Sequence, residues 1–234
     1  MWGGLASASL LVGYLIANHG LSKRNIGIVM GIGAGALLSA ISYELVPESV
    51  FGGWPMAVAF GLGAFAFFLG DWVIDHKGGS DRKDIAGDKT GGSGAAIFIG
   101  TLLDNVPESI ILGMTLAIGG VINVAFLVAV FISNLPEGVA GTLNLESSGH
   151  PRRQVFWMWM ALVVVSALCA GLGFFTIRTI PALDGRLAQA FAAGAMLTML
   201  ADAMMPEAFE HGGMAVGLFT VLGFLGSAML SMAQ

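Results

Sequence analysis

Charge is scarce in this chain. Only 11% of its residues are Asp, Glu, Lys or Arg, against 56% hydrophobic. A water-soluble domain carries about 25% charged residues, so the composition excludes one and indicates an integral membrane protein. Cysteine is nearly absent. The single Cys169 excludes an internal disulfide and a cysteine-cluster metal site, and its apolar surroundings mark it as inert packing. Histidine is sparse too, with four residues, none of which falls inside a predicted span. No H-E-x-x-H occurs, which argues against an intramembrane metalloprotease, whose chemistry needs histidine ligands and an open coordination position. No basic n-region precedes the first apolar segment, so no cleavable signal peptide is expected. The net charge of −5 gives no reason to expect a nucleic-acid partner.

Long apolar runs are what the chain does have. A helix needs about 20 apolar residues to span a bilayer. Eight spans are predicted, at about 2–19, 26–48, 53–75, 94–119, 121–144, 154–177, 184–208 and 213–232. They form one domain over 1–234, interrupted by a polar loop at 76–93 rich in Gly, Asp and Lys. The 35 glycines lie largely within the apolar runs, as in Gly31-Ile32-Gly33-Ala34-Gly35-Ala36, and read as close-packing faces. Trp2, Trp54, Trp72 and Trp157 fall near span ends, where interfacial anchors belong. Alternate loops divide the basic residues unevenly. One side holds Lys23, Arg24, Lys77, Arg82, Lys83, Lys89, Arg152 and Arg153, and the other only Arg178 and Arg186. The positive-inside rule then puts both termini outside and the 76–93 loop in the cytoplasm.

Two copies of a motif lie within the fourth and fifth runs. Asp104-Asn105-Val106-Pro107-Glu108-Ser109 recurs as Ser133-Asn134-Leu135-Pro136-Glu137-Gly138, with Glu108 and Glu137 29 residues apart. Charged side chains at bilayer depth cost roughly 2.5–3.5 kcal/mol and mark ion or substrate paths. Residues four apart share a helix face, which aligns Asp104 with Glu108 and Ser133 with Glu137. Proline frees the carbonyl four residues earlier, here those of Leu103 and Ile132. Facing helices would supply up to three carboxylates, two amides, a hydroxyl and two carbonyls, and a dication would offset the repulsion among the acids.

A longer repeat frames this pair. Tyr43-Glu44-Leu45-Val46-Pro47-Glu48 aligns with Asp202-Ala203-Met204-Met205-Pro206-Glu207 at an offset of 159 residues. The offset covers five spans, so the copies would cross the membrane in opposite directions. That is the inverted repeat of secondary transporters. The predicted architecture is all-α: inverted three-helix repeats (spans 1–3 and 6–8) flank spans 4 and 5. Asp71, Asp75 and His76 at the end of span 3, with Asp202, Glu207, Glu210 and His211 at the same end of span 7, would stand on the cytoplasmic side as an exit path or as ordinary interfacial polarity. Glu44 and Glu48 would guard the outer end. His19 and His150 are loop residues with no assigned role, and the loop holds no histidine tract for metal sensing.

On these motifs the chain resembles the ZIP family of divalent metal transporters, as a bacterial-type member. The resemblance covers nearly the whole chain, and its specific marks are the two Asn-x-Pro-Glu motifs. It implies Asp104, Asn105, Glu108, Ser133, Asn134 and Glu137 as ligands of a transported ion. It also implies passage of zinc, iron, manganese or cadmium into the cytoplasm, across a bacterial inner membrane. Movement would be of an elevator type, with spans 1, 4, 5 and 6 sliding against spans 2, 3, 7 and 8, often in a homodimer. The ion is substrate, and no cofactor or enzymatic activity is expected.

Several residues depart from the family pattern. The usual His-Asn of span 4 is Asp104-Asn105 here, and span 5 has Ser133-Asn134 where His, Gln or Asp is frequent. Span 7 has Asp202-Ala203 where relatives often show His-Glu. Span 6 holds no acid that would support a second metal, so one ion is expected. The resulting ligands are nearly all oxygen. Zinc ranks first by family habit, while carboxylate and carbonyl donors suit manganese or ferrous iron. The alternative reading, from another class, is a metal-binding sensor or structural membrane protein without transport.

Overall fold

The computed structural model describes residues 2–46, 53–76, 94–180 and 185–233. All regular structure among them is helical. Seven helices are long and apolar enough to cross a membrane: α2 (Lys23–Leu45), α3 (Trp54–Ile74), α4 (Gly94–Gly119), α5 (Val124–Ser147), α6 (Arg152–Thr179), α7 (Arg186–Gly212) and α8 (Ala215–Met232). They follow the shorter apolar α1, Trp2–Ile16. At 1.5 Å per residue α1 is about 22 Å long, less than a bilayer core. The chain is thus an all-α integral membrane protein. The predicted loop lies outside the described residues from 77 to 93.

Local chemistry sets the helix ends. Ser22 accepts a hydrogen bond from the Asn25 N–H and opens α2 three residues before the predicted start. Asn123 caps α5 in the same way through the Phe126 N–H at 2.8 Å, three residues after the predicted start. Gly185, at φ +80°, supplies the left-handed turn before α7, a conformation other residues rarely adopt. At its far end α7 continues past its predicted limit to Gly212, which brings His211 into the last helical turn. That corrects the expectation that no histidine lies in a span. Both α2 and α7 widen into a π turn, at Ile41–Leu45 and Leu200–Met204. The two turns are offset by the same 159 residues as the sequence repeat.

Helices pair through glycine. The principal pairs are α2 with α8, α3 with α7, α4 with α6 and α1 with α5, and α1 also packs on α6. A Cβ on Gly35 would lie 1.9 Å from the Thr220 carbonyl oxygen, and one on Gly194 2.0 Å from that of Phe60. The contacts are reciprocal: Gly223 faces the Ile32 carbonyl and Gly63 that of Phe191. Gly113 with Gly173, and Gly13 with Gly138, join their pairs alike. In lipid, where apolar side chains gain nothing by leaving the solvent, such close approach is what associates helices.

The periphery belongs to α3, α6 and α8, whose outward faces are large and apolar, including Leu62, Phe65, Leu168, Leu218 and Met229. Trp54, Trp72 and Trp157 are exposed at helix ends as expected, but Trp159 is fully buried. Its indole N–H donates to Thr142 Oγ1 at 2.9 Å, and the Thr142 hydroxyl donates to the Gly138 carbonyl. Thr142→Val keeps the shape and strands a buried indole N–H. Thermal unfolding in detergent should show a loss of about 1–3 kcal/mol.

Candidate metal centre

The two motifs lie in mid-helix, in α4 and α5, and each helix runs unbroken through its proline. Asp104, Asn105, Glu108, Ser133, Asn134 and Glu137 are all buried, none more than 3% exposed. A proline in a helix interior leaves the carbonyl four residues earlier without its helical partner, so the Leu103 and Ile132 carbonyls stand beside the acids. Oxygen therefore dominates the donor set, and histidine has no part in it.

A hydrogen bond joins the motifs directly. The Asn134 side-chain NH₂ donates to Asn105 Oδ1 at 3.1 Å. Asn105 Oδ1 also accepts from the Ser7 hydroxyl of α1 at 2.9 Å. The Asn105 NH₂ donates to the Thr101 carbonyl at 3.0 Å. Ser133 turns its hydroxyl proton to the Val130 carbonyl at 2.9 Å, which leaves its oxygen lone pairs as the available donors.

Backbone packing fixes α5 at the motif. A Cβ on Gly33 of α2 would lie 2.8 Å from Ser133 Cα, and one on Gly13 of α1 2.6 Å from the Leu135 carbonyl oxygen. Glycine alone lets α1 and α2 approach so closely from their two sides. Sequence reasoning missed Ser7, Thr101 and Gly13, and read Gly33 as a packing face without its contact to Ser133. Ser7 was detectable in principle, because an amide in an apolar span needs a partner and Ser7 is a polar residue in a neighbouring apolar run.

The residues at the two ends divide. Glu44, in the π turn of α2, accepts hydrogen bonds from Asn123 Nδ2 and the Ser231 hydroxyl, clasping the ends of α2, α5 and α8. Glu48 lies outside the described residues. Asp71 is buried in α3, and Asp202 is exposed in the π turn of α7. His76, just beyond α3, donates through Nδ1 to the Trp72 carbonyl at 2.8 Å and packs on the Trp72 ring. In the last turn of α7, His211 Nδ1 lies 3.0 Å from Glu207 Oε1. Among the described residues, the group of acids and histidine whose ligand atoms all lie within 4.8 Å of one another is Glu207, Glu210 and His211, not the central trio. The end that carries Arg152 has its own network: Glu146 accepts from Asn18 at 3.1 Å and pairs with Arg152, whose guanidinium covers the Tyr14 ring.

No family model matches the chain. It is similar to a protein of Arabidopsis thaliana that bears the name "Putative zinc transporter", with 29% identity over 196 residues. The match covers 79% of this chain and 30% of the relative, so the chain spans less than a third of that protein's length.

Proposed function

We propose that this chain is a ZIP-type carrier that moves a divalent transition-metal cation, zinc first and manganese, iron or cadmium next, into the cytoplasm. The observation that carries the reading is the joining of two Asn-x-Pro-Glu motifs at mid-helix, by the Asn134 to Asn105 bond, with every motif acid buried. The name of the Arabidopsis relative supports metal transport, and zinc in particular.

The ion is substrate, and one ion is bound at a time, since α6 contributes no acid. Asp104, Glu108 and Glu137 supply its countercharge, with Ser133, an amide of the motif pair and the freed carbonyls completing the shell. Eight spans place both termini outside, with α1 as the first. The end bearing Lys23, Arg24, Arg152 and Arg153 is cytoplasmic, and the Glu44 end faces out.

Inverted repeats organise the scaffold. The shared offset of 159 residues between the two π turns, and the reciprocal packing of Gly35 and Gly194, support that arrangement. An elevator fits the pairing of helices: α1, α4, α5 and α6 contact one another, while α2 pairs with α8 and α3 with α7. The Glu44 clasp crosses the boundary between these groups, since Asn123 belongs to α5, and its release accompanies opening at the outer end. Glu207, Glu210 and His211 then receive the cation at the inner end. The protein works in a bacterial inner membrane, as a homodimer.

Uptake into proteoliposomes tests the reading. Zn²⁺, Mn²⁺, Fe²⁺, Cd²⁺ and Mg²⁺ are offered in parallel. Saturable uptake of the transition metals, with Mg²⁺ excluded, is expected. Tight binding without flux would establish the sensor or structural reading in its place.

A further inference from the structure

Asn105 and Asn134 occupy matching places in the two motifs, yet their hydrogen bonds set them apart. An amide oxygen has two lone pairs and its NH₂ two protons. Asn105 Oδ1 spends both lone pairs, one on the Ser7 hydroxyl at 2.9 Å and one on the Asn134 NH₂ at 3.1 Å. Its own NH₂ is tied to the Thr101 carbonyl at 3.0 Å. Turning the Asn105 amide over would set its NH₂ against that of Asn134 and its oxygen against the Thr101 carbonyl. Both contacts are repulsive in a fully buried place. Asn134 is differently placed. Its NH₂ donates to Asn105, and its oxygen takes no part in that bond.

We infer that Ser7 is a positioning residue for the cation site. Its hydroxyl locks Asn105 as a strut, and the strut orients Asn134 so that Asn134, not Asn105, gives its amide oxygen to the ion. This inference rests on the reading of the motif pair as a cation site. Ser7 reaches that pair from α1, 98 residues away from Asn105. Without the hydroxyl, Asn105 Oδ1 keeps only its bond from Asn134, so the amide that orients Asn134 is held less firmly.

Hydrogen-bond partners of metal ligands typically change affinity by about 10–100-fold when removed. Asn105 is the direct partner of Asn134 and Ser7 acts through it, so Ser7→Ala should raise the Kd for Zn²⁺ and Mn²⁺, and the KM for uptake, by the lower figure, about 10-fold, with little change in Vmax. Ser9→Ala is the matched control. Ser9 is buried in the same helix, but its hydroxyl donates to the Ala6 carbonyl of that helix at 2.7 Å. It should bind like the unsubstituted chain. Ser7→Thr keeps the hydroxyl and should retain affinity. Ser7→Cys, of similar size but a weak donor, should fall between.

The test is calorimetric titration of the purified full chain in detergent with Zn²⁺ and with Mn²⁺, beside uptake kinetics of the same variants. Graded weakening through Ser7→Thr, Ser7→Cys and Ser7→Ala, with Ser9→Ala unaffected, supports the assignment. Unchanged binding in Ser7→Ala, or equal weakening in Ser9→Ala, overturns it. An unsubstituted protein that binds metal without moving it refutes the carrier reading and leaves the Ser7 comparison decisive. Failure of the unsubstituted protein to bind either ion overturns both.

Discussion

Glu108→Ala and Glu137→Ala should each reduce metal uptake roughly 100-fold or more while the protein remains folded. Each glutamate stands one residue after a mid-helix proline and is buried. Truncating one partner of a buried charge interaction costs about 2–5 kcal/mol, and each 1.4 kcal/mol is a tenfold change. Fold and function should separate here. The variants should remain folded, with any change in thermal stability small beside the loss of uptake. The stabilisation conferred by added Zn²⁺ or Mn²⁺ should disappear in the same variants. Normal uptake in both would refute the proposed site.

Gly35→Ala and Gly194→Ala should be among the most damaging single-carbon additions in the scaffold. Each new Cβ would meet a backbone carbonyl at 2.0 Å or less, Thr220 in one case and Phe60 in the other. Backbone cannot rotate away as a side chain can, so the α2–α8 and α3–α7 pairs would have to part. Overpacking of this kind costs typically 1–3 kcal/mol and sometimes more. The expected loss is about 3 kcal/mol for each, and similar for both because the two glycines occupy equivalent places. Gly61→Ala and Gly226→Ala provide the contrast. They lie on α3 and α8, and a Cβ there meets nothing within 4 Å. Alanine's better helix propensity should stabilise them by roughly 0.5–1 kcal/mol. Thermal unfolding of the four variants in one detergent checks the series. Equal stabilities would contradict the packing described.

Much of the architecture was legible because bilayer depth leaves so few options. Apolar runs broken by polar residues located the long helices, and α4 begins and ends where the hydropathy places it, at Gly94 and Gly119. The misses at the ends have local causes. Ser22 and Asn123 act as caps and shift two helix starts, and α1 stops at Ile16, short of the predicted 19. The motif acids were legible because carboxylates are rare and costly in such runs. Gly33 was legible as part of a packing face, but not its approach to Ser133, and Ser7 was passed over because a serine in an apolar helix is commonplace. Their roles arise from which helices pack together, and no short stretch of sequence carries that. Mid-helix prolines drew attention to the turns of α4 and α5 that the Asn134 to Asn105 bond joins. They did not reveal that Asn105 accepts two hydrogen bonds and Asn134 donates one of them.

An anomalous-difference map of crystals grown with Mn²⁺ or Zn²⁺ bears on the oxygen-lined cation site proposed between α4 and α5. A principal peak is expected among Asp104, Glu108, Ser133, Asn134 and Glu137, with no histidine nitrogen in its coordination shell. A map whose only peak lies at Glu207, Glu210 and His211, with none between the two motifs, would contradict it.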